Sequence, residues 1–383
     1  MSVLYLDAAA TTAIRREVLE AIWPHLVGPP ANPSSTHDAG SLASRALEDA
    51  RARVAVVFGV RTSEVIFTSG GTEADNLAIK GIALATPRGR HIVASVIEHP
   101  AVLESCAYLA RHHGFEITLV GVDADGLVDP AEVRAALRAD TTLCTVMSAN
   151  NEVGTIQPIA ELAAIAREFS VPFHTDAVQA AGWLDCSLDT LGVEALSISG
   201  HKLGAPHGIG ALIVRGRIPL EAQHSGGAQE RGRRSGTQNV AGAVGLATAL
   251  ELAVAEGKQH GQRVSELRDA FIAEVLQMVP DALLTGSLAH RLPGSASFCF
   301  PGTSGEVILL ELEAHGIRCS SGSACAAGND EPSAVLIALG ITPEVAQTAV
   351  RFTFGVSVTA DDLRHTAGEL RAAVARVRGL GGQ

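Results

Sequence analysis

Ala195-Leu196-Ser197-Ile198 runs directly into Ser199-Gly200-His201-Lys202, and the reading of the whole chain turns on this stretch. An apolar, β-rich run ends, and a hydroxyl, an imidazole and a primary amine follow it. A lysine so placed is a candidate to form a Schiff base with an aldehyde cofactor such as pyridoxal phosphate. For that it must spend part of its cycle unprotonated, a state that desolvation and neighbouring cations favour. Taken alone, the tetrapeptide is more commonly the pattern of a solvated surface lysine.

Two further elements sit in the same kind of position. Thr175-Asp176-Ala177-Val178-Gln179 follows the apolar Val171-Pro172-Phe173. A buried Asp176 could pair with a protonated pyridine nitrogen and keep the ring cationic, and Gln179 could donate to the cofactor's phenolic oxygen. As helix caps, both residues would be ordinary. Val65-Ile66-Phe67-Thr68-Ser69-Gly70-Gly71-Thr72 leads through two glycines into a helix-forming stretch. Glycine lets the backbone approach an anion closely, and the free N–H groups and dipole of a helix start attract it. Gly71 and Thr72 are therefore candidates for a phosphate cradle. The pattern is neither a Walker A loop nor a G-x-G-x-x-G fingerprint, and a simple turn with an N-cap has the same spelling.

Together these elements resemble the fold-type I pyridoxal-phosphate enzymes, and among them the cysteine desulfurases of iron–sulfur cluster assembly in the class V aminotransferase family. The resemblance spans nearly the whole chain. It is carried also by Tyr5-Leu6-Asp7 with Ala9-Ala10-Thr11-Thr12, Asn32-Pro33-Ser34-Ser35, Glu98-His99, Asn150-Asn151-Glu152-Val153-Gly154, Arg234-Ser235-Gly236-Thr237, Ser320-Ser321-Gly322-Ser323-Ala324-Cys325 and Arg351-Phe352. It implies cofactor-phosphate contacts from Gly71, Thr72, Ser199 and His201, with Thr237 reaching the phosphate of a neighbouring subunit in a homodimer. It places Asn151 and Gln179 near the pyridoxal oxygen, Asp176 on the ring nitrogen, His99 over the ring and Lys202 in the Schiff base. Arg351, with Asn151, would bind the substrate.

The implied activity is removal of sulfur from L-cysteine, giving L-alanine and a persulfide on Cys325 for a sulfur acceptor or an iron–sulfur scaffold protein. Lys202 and His99 would move protons. Cys325 lies in Ser321-Gly322-Ser323-Ala324-Cys325-Ala326-Ala327-Gly328, small residues that present a thiol rather than bury it. No Lys or Arg stands within five residues to lower its pKa, while Asp330 and Glu331 would raise it. Another class V enzyme, an aminotransferase or a selenocysteine lyase, would share Asp176, Gln179 and Lys202 without needing Cys325. The chain departs from relatives at Ala8 and at Val356-Ser357, and it stops soon after its last helix, where relatives carry a scaffold-docking extension.

Composition agrees. A chain of 383 residues exceeds the roughly 100–200 residues of a usual domain. We expect a large cofactor-binding domain over 15–255 and a small domain built from 1–14 and 256–383. A formal net charge of −12 argues against nucleic-acid and anionic-membrane partners. The local cluster Arg231-Gly232-Arg233-Arg234 suits an anion site, a subunit contact or a solvated loop. No leader pattern and no membrane-spanning apolar segment stand out, and the six cysteines are dispersed without a C-x-x-C pair, the pattern of reduced thiols rather than disulfides or a metal site. A cytoplasmic location follows.

The expected fold is α/β. Short strands at 65–69, 92–96, 117–120, 142–148, 171–175, 195–199 and 211–214 alternate with helices, which implies a mostly parallel sheet covered on both faces. Residues 159–169 show helical spacing, and 240–278 reads as long helices. A smaller α+β unit follows, with strands at 295–300, 317–320 and 349–354. Its last helix starts at Thr359 with Asp362 three positions on, close to a capping box, and the glycine-rich end 379–383 reads as frayed.

Overall fold

The computed structural model describes residues 3–85, 87–321 and 331–381. Its strands are β1 (Leu4–Tyr5), β2 (Val65–Thr68), β3 (His91–Ser95), β4 (Glu116–Val120), β5 (Thr141–Thr145), β6 (Phe173–Asp176), β7 (Ala195–Ser199), β8 (Gly210–Val214), β9 (Leu283–Leu284), β10 (Ser295–Cys299), β11 (Ile317–Arg318) and β12 (Ala349–Thr353). The main helices are α1 (Arg16–Val27), α2 (Asp38–Phe58), α3 (Gly71–Ala85), α4 (Pro100–His113), α5 (Pro130–Ala136) and α6 (Ile159–Glu168). Then come the one-turn α7 (Leu188–Leu191), α8 (Val240–Met278), α9 (Gly305–Ala314), the short α10 (Ala334–Ala338) and α11 (Pro343–Ala346), and α12 (Ala360–Gly381).

Seven strands form one sheet in the order β2-β8-β7-β6-β5-β3-β4. All neighbours are parallel except β8, which runs antiparallel to both β2 and β7. The result is an α/β fold with a mostly parallel sheet under helices on both faces. Side chains alternate across it, as the two-residue strand period requires. Val93, Leu196, Ala211 and Ile213 join the core beneath α1, α2, α6 and α8. Ile92, Ala94, Ala195 and Leu212 join the core beneath α3 and α4. The ladder of β6 begins two residues later than the apolar run suggests because Pro172 has no N–H to donate; its carbonyl still accepts from Cys144 N at 3.0 Å.

The second unit packs the sheet β12-β10-β9 against α9, α12 and the end of α8, around Phe271, Phe298 and Phe352. The ring of Phe271 meets the other two edge-on at 6.1 and 5.3 Å, the geometry aromatic quadrupoles favour. β1 pairs with β11, and Asp7 bridges to Thr353, so the first residues ride on this unit.

The stretch read as several helices is one helix of 39 residues. Its first half fills the core under the large sheet and its second half the aromatic core. Gly257 does not break it. That glycine is a close-approach site, where a Cβ would stand 1.9 Å from the carbonyl oxygen of Gly182. By length and composition this helix could cross a membrane, contrary to the sequence reading, but 56% of its apolar window is buried within the protein, as in a core helix. The capping box is present: Thr359 N donates to Asp362 Oδ2 at 3.0 Å and Asp362 N to Thr359 Oγ1 at 3.2 Å. The helix it starts continues past Gly379 to Gly381, further than the glycines suggest.

Candidate active site

The directions of β2, β3, β5, β6 and β7 put their carboxyl ends on one side of the sheet, and the segments leaving them converge. A cavity of about 590 Å³ opens there, and its walls include Gly71, Thr72, His99, Asn151, Asp176, Gln179, Ser199, His201, Lys202 and Arg351. Ten of the residues singled out in the sequence thus meet in one place. Thr237 does not; it is exposed and absent from the cavity wall. Cys325 lies outside the described residues.

Lys202 ends a tight 3-10 turn, Gly200–Lys202, directly after β7. Its Nζ donates to the carbonyl oxygens of Ala9 and Ala10 at 2.5 and 2.6 Å. Thr12 holds the same segment in place, its N and Oγ1 both donating to His201 O at 2.9 and 2.8 Å. The N-terminal strip therefore spans from the small unit to the amine. His201 stacks on His207 with ring centroids 5.1 Å apart, and burial, Lys202 and His207 together hold its imidazole down at about 4.

Asp176 closes β6 and is 6% exposed. Its Oδ1 accepts from Val178 N at 2.8 Å. Burial pushes its carboxyl above the usual range, while the Val178 N–H, His99 and Lys202 pull the other way. His99 caps α4, its Nδ1 accepting from Ala101 N at 3.0 Å. Burial lowers its pKa, so the neutral ring, with Nδ1 used as acceptor, carries its proton on Nε2. Gln179 Nε2 donates to Ala9 O at 3.1 Å.

Arg351 comes from β12 of the small unit. It is 2% exposed, donates to Asn151 O at 2.8 Å and pairs with Asp7 at 2.7 Å. Asn150, next to Asn151, is occupied structurally: its Nδ2 donates to Ile97 O, and its Oδ1 accepts from Glu152 N and Val153 N.

Three features of the site went unread in the sequence. Asp75, Glu98 and His174 lie buried beside Asp176. Desolvation pushes Asp75 well above its ordinary range and Glu98 up to about 8, and holds His174 down at about 3. Across the 3.8 Å contact between His174 and Asp75, burial thus disfavours the charged form of both groups. The second feature is Asp7 on Arg351. The third is Glu73, whose carboxylate takes Ser69 N–H at 2.7 Å and is held by Arg234 at 2.7 and 3.2 Å. The signal for Asp75 was a carboxylate on the apolar face Ala74, Leu77, Ala78 of α3. Nothing local marked the other two. The arginine-rich cluster is used up internally, Arg231 on Glu48, Arg233 on Ser63 O and Arg234 on Glu73.

The residues fit pyridoxal phosphate. At the start of α3 the backbone is bare: a Cβ on Gly71 would stand 2.8 Å from Val178 Cγ2 and 3.3 Å from Ser199 Cβ, so only glycine leaves room for an anion against the N–H groups. A deeply buried carboxylate with a raised pKa is one that a cationic ring nitrogen would satisfy. A primary amine stands in the same cavity.

A profile of the family described as "Aminotransferase class-V" matches residues 4–365. The chain is 46% identical to a cysteine desulfurase named IscS from Dictyoglomus turgidum, over 98% of this chain and 95% of that one. Among solved structures it is similar to a NifS-like protein, with TM-score 0.91 and 35% identity over 98% of this chain and 100% of that one. It is also similar to SspA, solved in complex with cysteine, with TM-score 0.80 and 34% identity over 93% and 100%.

Proposed function

This chain belongs to the class V aminotransferase family and is a pyridoxal-phosphate-dependent cysteine desulfurase, and on that premise we propose which of its residues carry the reaction. The observation that supports the assignment is the convergence of Lys202, Asp176, Gln179, His99 and Arg351, from four separate segments and both cores, on one cavity. When bound, pyridoxal phosphate supplies an aldehyde that takes up the substrate amine and a cationic ring that draws electrons from Cα.

Lys202 would hold the aldehyde and, once released, take the proton from Cα and return it; a positioned acid–base group is typically worth about 10²–10⁴-fold. Asp176 would keep the ring nitrogen protonated. Asn151 and Gln179 would take the ring oxygen, and Gly71, Thr72, Ser199 and His201 the phosphate. Arg351 would grip the carboxylate of L-cysteine through its guanidinium fork. The Nε2–H of neutral His99 is a proton donor at the cavity wall. The thiolate of Cys325 would attack the substrate sulfur as the Cβ–S bond breaks, leaving a persulfide on Cys325 and, after protonation, L-alanine.

A sulfur acceptor or iron–sulfur scaffold protein would then take the sulfur. We also propose a homodimer. Leu19, Trp23, Leu26 and Val27 are exposed along α1, an apolar surface that a second copy would cover, and Thr237, exposed away from its own cavity, would reach the partner's phosphate. The division into 15–255 and 1–14 with 256–383 is carried forward in the same way. So is a cytoplasmic location, supported by five free cysteines among the described residues, four of them buried.

The test is mass spectrometry of the holoenzyme after incubation with L-cysteine. One added sulfur on Cys325 is expected, and none in a Cys325→Ser variant that still binds cysteine. Wild-type rates of sulfide and alanine production from the Ser variant, with a thiol acceptor present, would overturn the assignment.

A further inference from the structure

Backbone strain in this protein gathers beside the cavity. Five described non-glycine residues have positive φ, and three of them, Ala228 (59°), Glu230 (49°) and Arg231 (59°), fall within four consecutive positions. The Cβ of an L-residue clashes with its own carbonyl there, so such a turn persists only where its surroundings over-determine it.

The surroundings are an ion pair. The Glu230 carboxylate, 1% exposed, is gripped by both terminal nitrogens of Arg51, 2% exposed, at 2.6 and 2.8 Å. The same pair serves β2, the strand that ends one side of the sheet. Arg51 Nη1 donates to Val65 O at 2.9 Å, and Phe67 N donates to Glu230 Oε2 at 3.0 Å. Val65 and Phe67 point the same way along the strand, away from β8, so the pair satisfies backbone groups that a missing neighbour strand would otherwise have to meet.

The strand so held runs straight into the 69–72 loop. At the other end of that loop Glu73 accepts from Ser69 N–H, and Arg234, four residues beyond Glu230, holds Glu73. Gln238 adds a bond to Glu230 at 3.4 Å, and Gly236 N donates to Gln229 Oε1 at 2.8 Å. One strained segment thus fastens both the strand entering the loop and the helix leaving it.

We propose that Glu230 with Arg51, and Glu73 with Arg234, are positioning residues for the cofactor's phosphate, and that the strained turn is the strut that aims the N–H groups of the 69–72 loop at one anion. This rests on the reading of Gly71 and Thr72 as the phosphate cradle. A merely structural role would weaken every ligand of the cavity alike. A positioning role acts on the phosphate alone.

The experiment compares pyridoxal phosphate with pyridoxal, which shares the aldehyde, ring and hydroxyl but lacks the phosphate. Both are titrated into cofactor-free full-length protein, as the wild type, as Glu230→Gln and as Arg234→Gln. The expected result is that pyridoxal phosphate binds roughly tenfold or more weakly to each variant, the fold-change of one misaimed charge-assisted hydrogen bond, while pyridoxal affinity is unchanged. Should Glu230→Gln not fold, Arg234→Gln carries the test, since that side chain is 22% exposed. Equal losses for both ligands, or unchanged pyridoxal phosphate affinity in a folded variant, would overturn the proposal. A wild-type protein that binds the two ligands equally would instead overturn the cradle reading beneath it.

Discussion

Replacing Glu98 with Gln should make the protein more stable at alkaline pH and leave it little changed in mild acid. Glu98 is 3% exposed. One carboxyl oxygen accepts from Ser95 Oγ at 2.5 Å and Met147 N at 2.8 Å; the other is buried with no hydrogen-bond partner. Burial pushes its pKa from 4.5 up to about 8, the charge of Asp176 adds to that, and the two hydrogen bonds oppose it. Between those two values the folded protein keeps a proton that the unfolded chain has released, so stability falls as pH rises through the window. At about 1.4 kcal/mol per pH unit over roughly 3.5 units, the full penalty is on the order of 5 kcal/mol above pH 8. Glutamine keeps the acceptor oxygen and cannot ionise. Urea unfolding of the cofactor-free protein, followed by fluorescence of Trp183, which packs against both cores, should show the variant's advantage growing from about pH 5 to about pH 9. Titrations that do not couple to Glu98 cancel in the difference. A difference that stays flat across that range would refute the account of Glu98 as a neutral acid.

Removing the Arg351 charge with Arg351→Gln leaves Asp7 facing an uncharged group and should raise KM for L-cysteine roughly 10²-fold, in keeping with loss of a bidentate charged contact; an equal effect on cysteamine, which lacks the carboxylate, would contradict carboxylate binding. Gly71→Ala puts a methyl 2.8 Å from Val178 Cγ2 and should cost the protein its bound cofactor on dialysis, read from the visible absorbance; full retention would argue against the cradle. Burial pushes the thiols of Cys106, Cys186 and Cys299 up to about 12, so iodoacetamide at neutral pH should leave them unmodified in the native protein and label them after denaturation, as peptide mass spectrometry would show.

The sheet was legible in the sequence because its strands, most of them buried on both faces, spell short runs rich in β-branched and apolar residues, and all seven expected strands form within a few residues of their expected bounds. Lys202, Asp176 and Gly71 were legible for a related reason. Each follows such a run, and a parallel sheet gathers the ends of its strands. Arg351 sits in a strand of the other core, and only the resemblance linked it to the site. What could not be read is the set of charges that meet across long separations. Arg51 and Glu230 are 179 positions apart, and Arg351 and Asp7 are 344 apart. In a one-dimensional string each of these looks like an ordinary surface charge.

The same limit explains why the site's electrostatics were invisible while its ligands were not. Asp75, Glu98 and Asp176 are three carboxylates in one desolvated volume; Asp176 raises the cost of ionising the other two, and Glu98 that of ionising Asp75. Glu98 is neutral up to about 8, Asp75 is pushed up in the same direction, and only Asp176 has a backbone N–H together with His99 and Lys202 pulling it back. A cation arriving at Asp176 would therefore favour negative charge where the ring nitrogen needs it. Motif spelling places the carboxylate; two neighbours whose burial disfavours their ionisation let it be the one that carries the charge. Above about pH 8 a second charge would develop at Glu98, and the field at the cofactor would change although no residue contacting it had titrated.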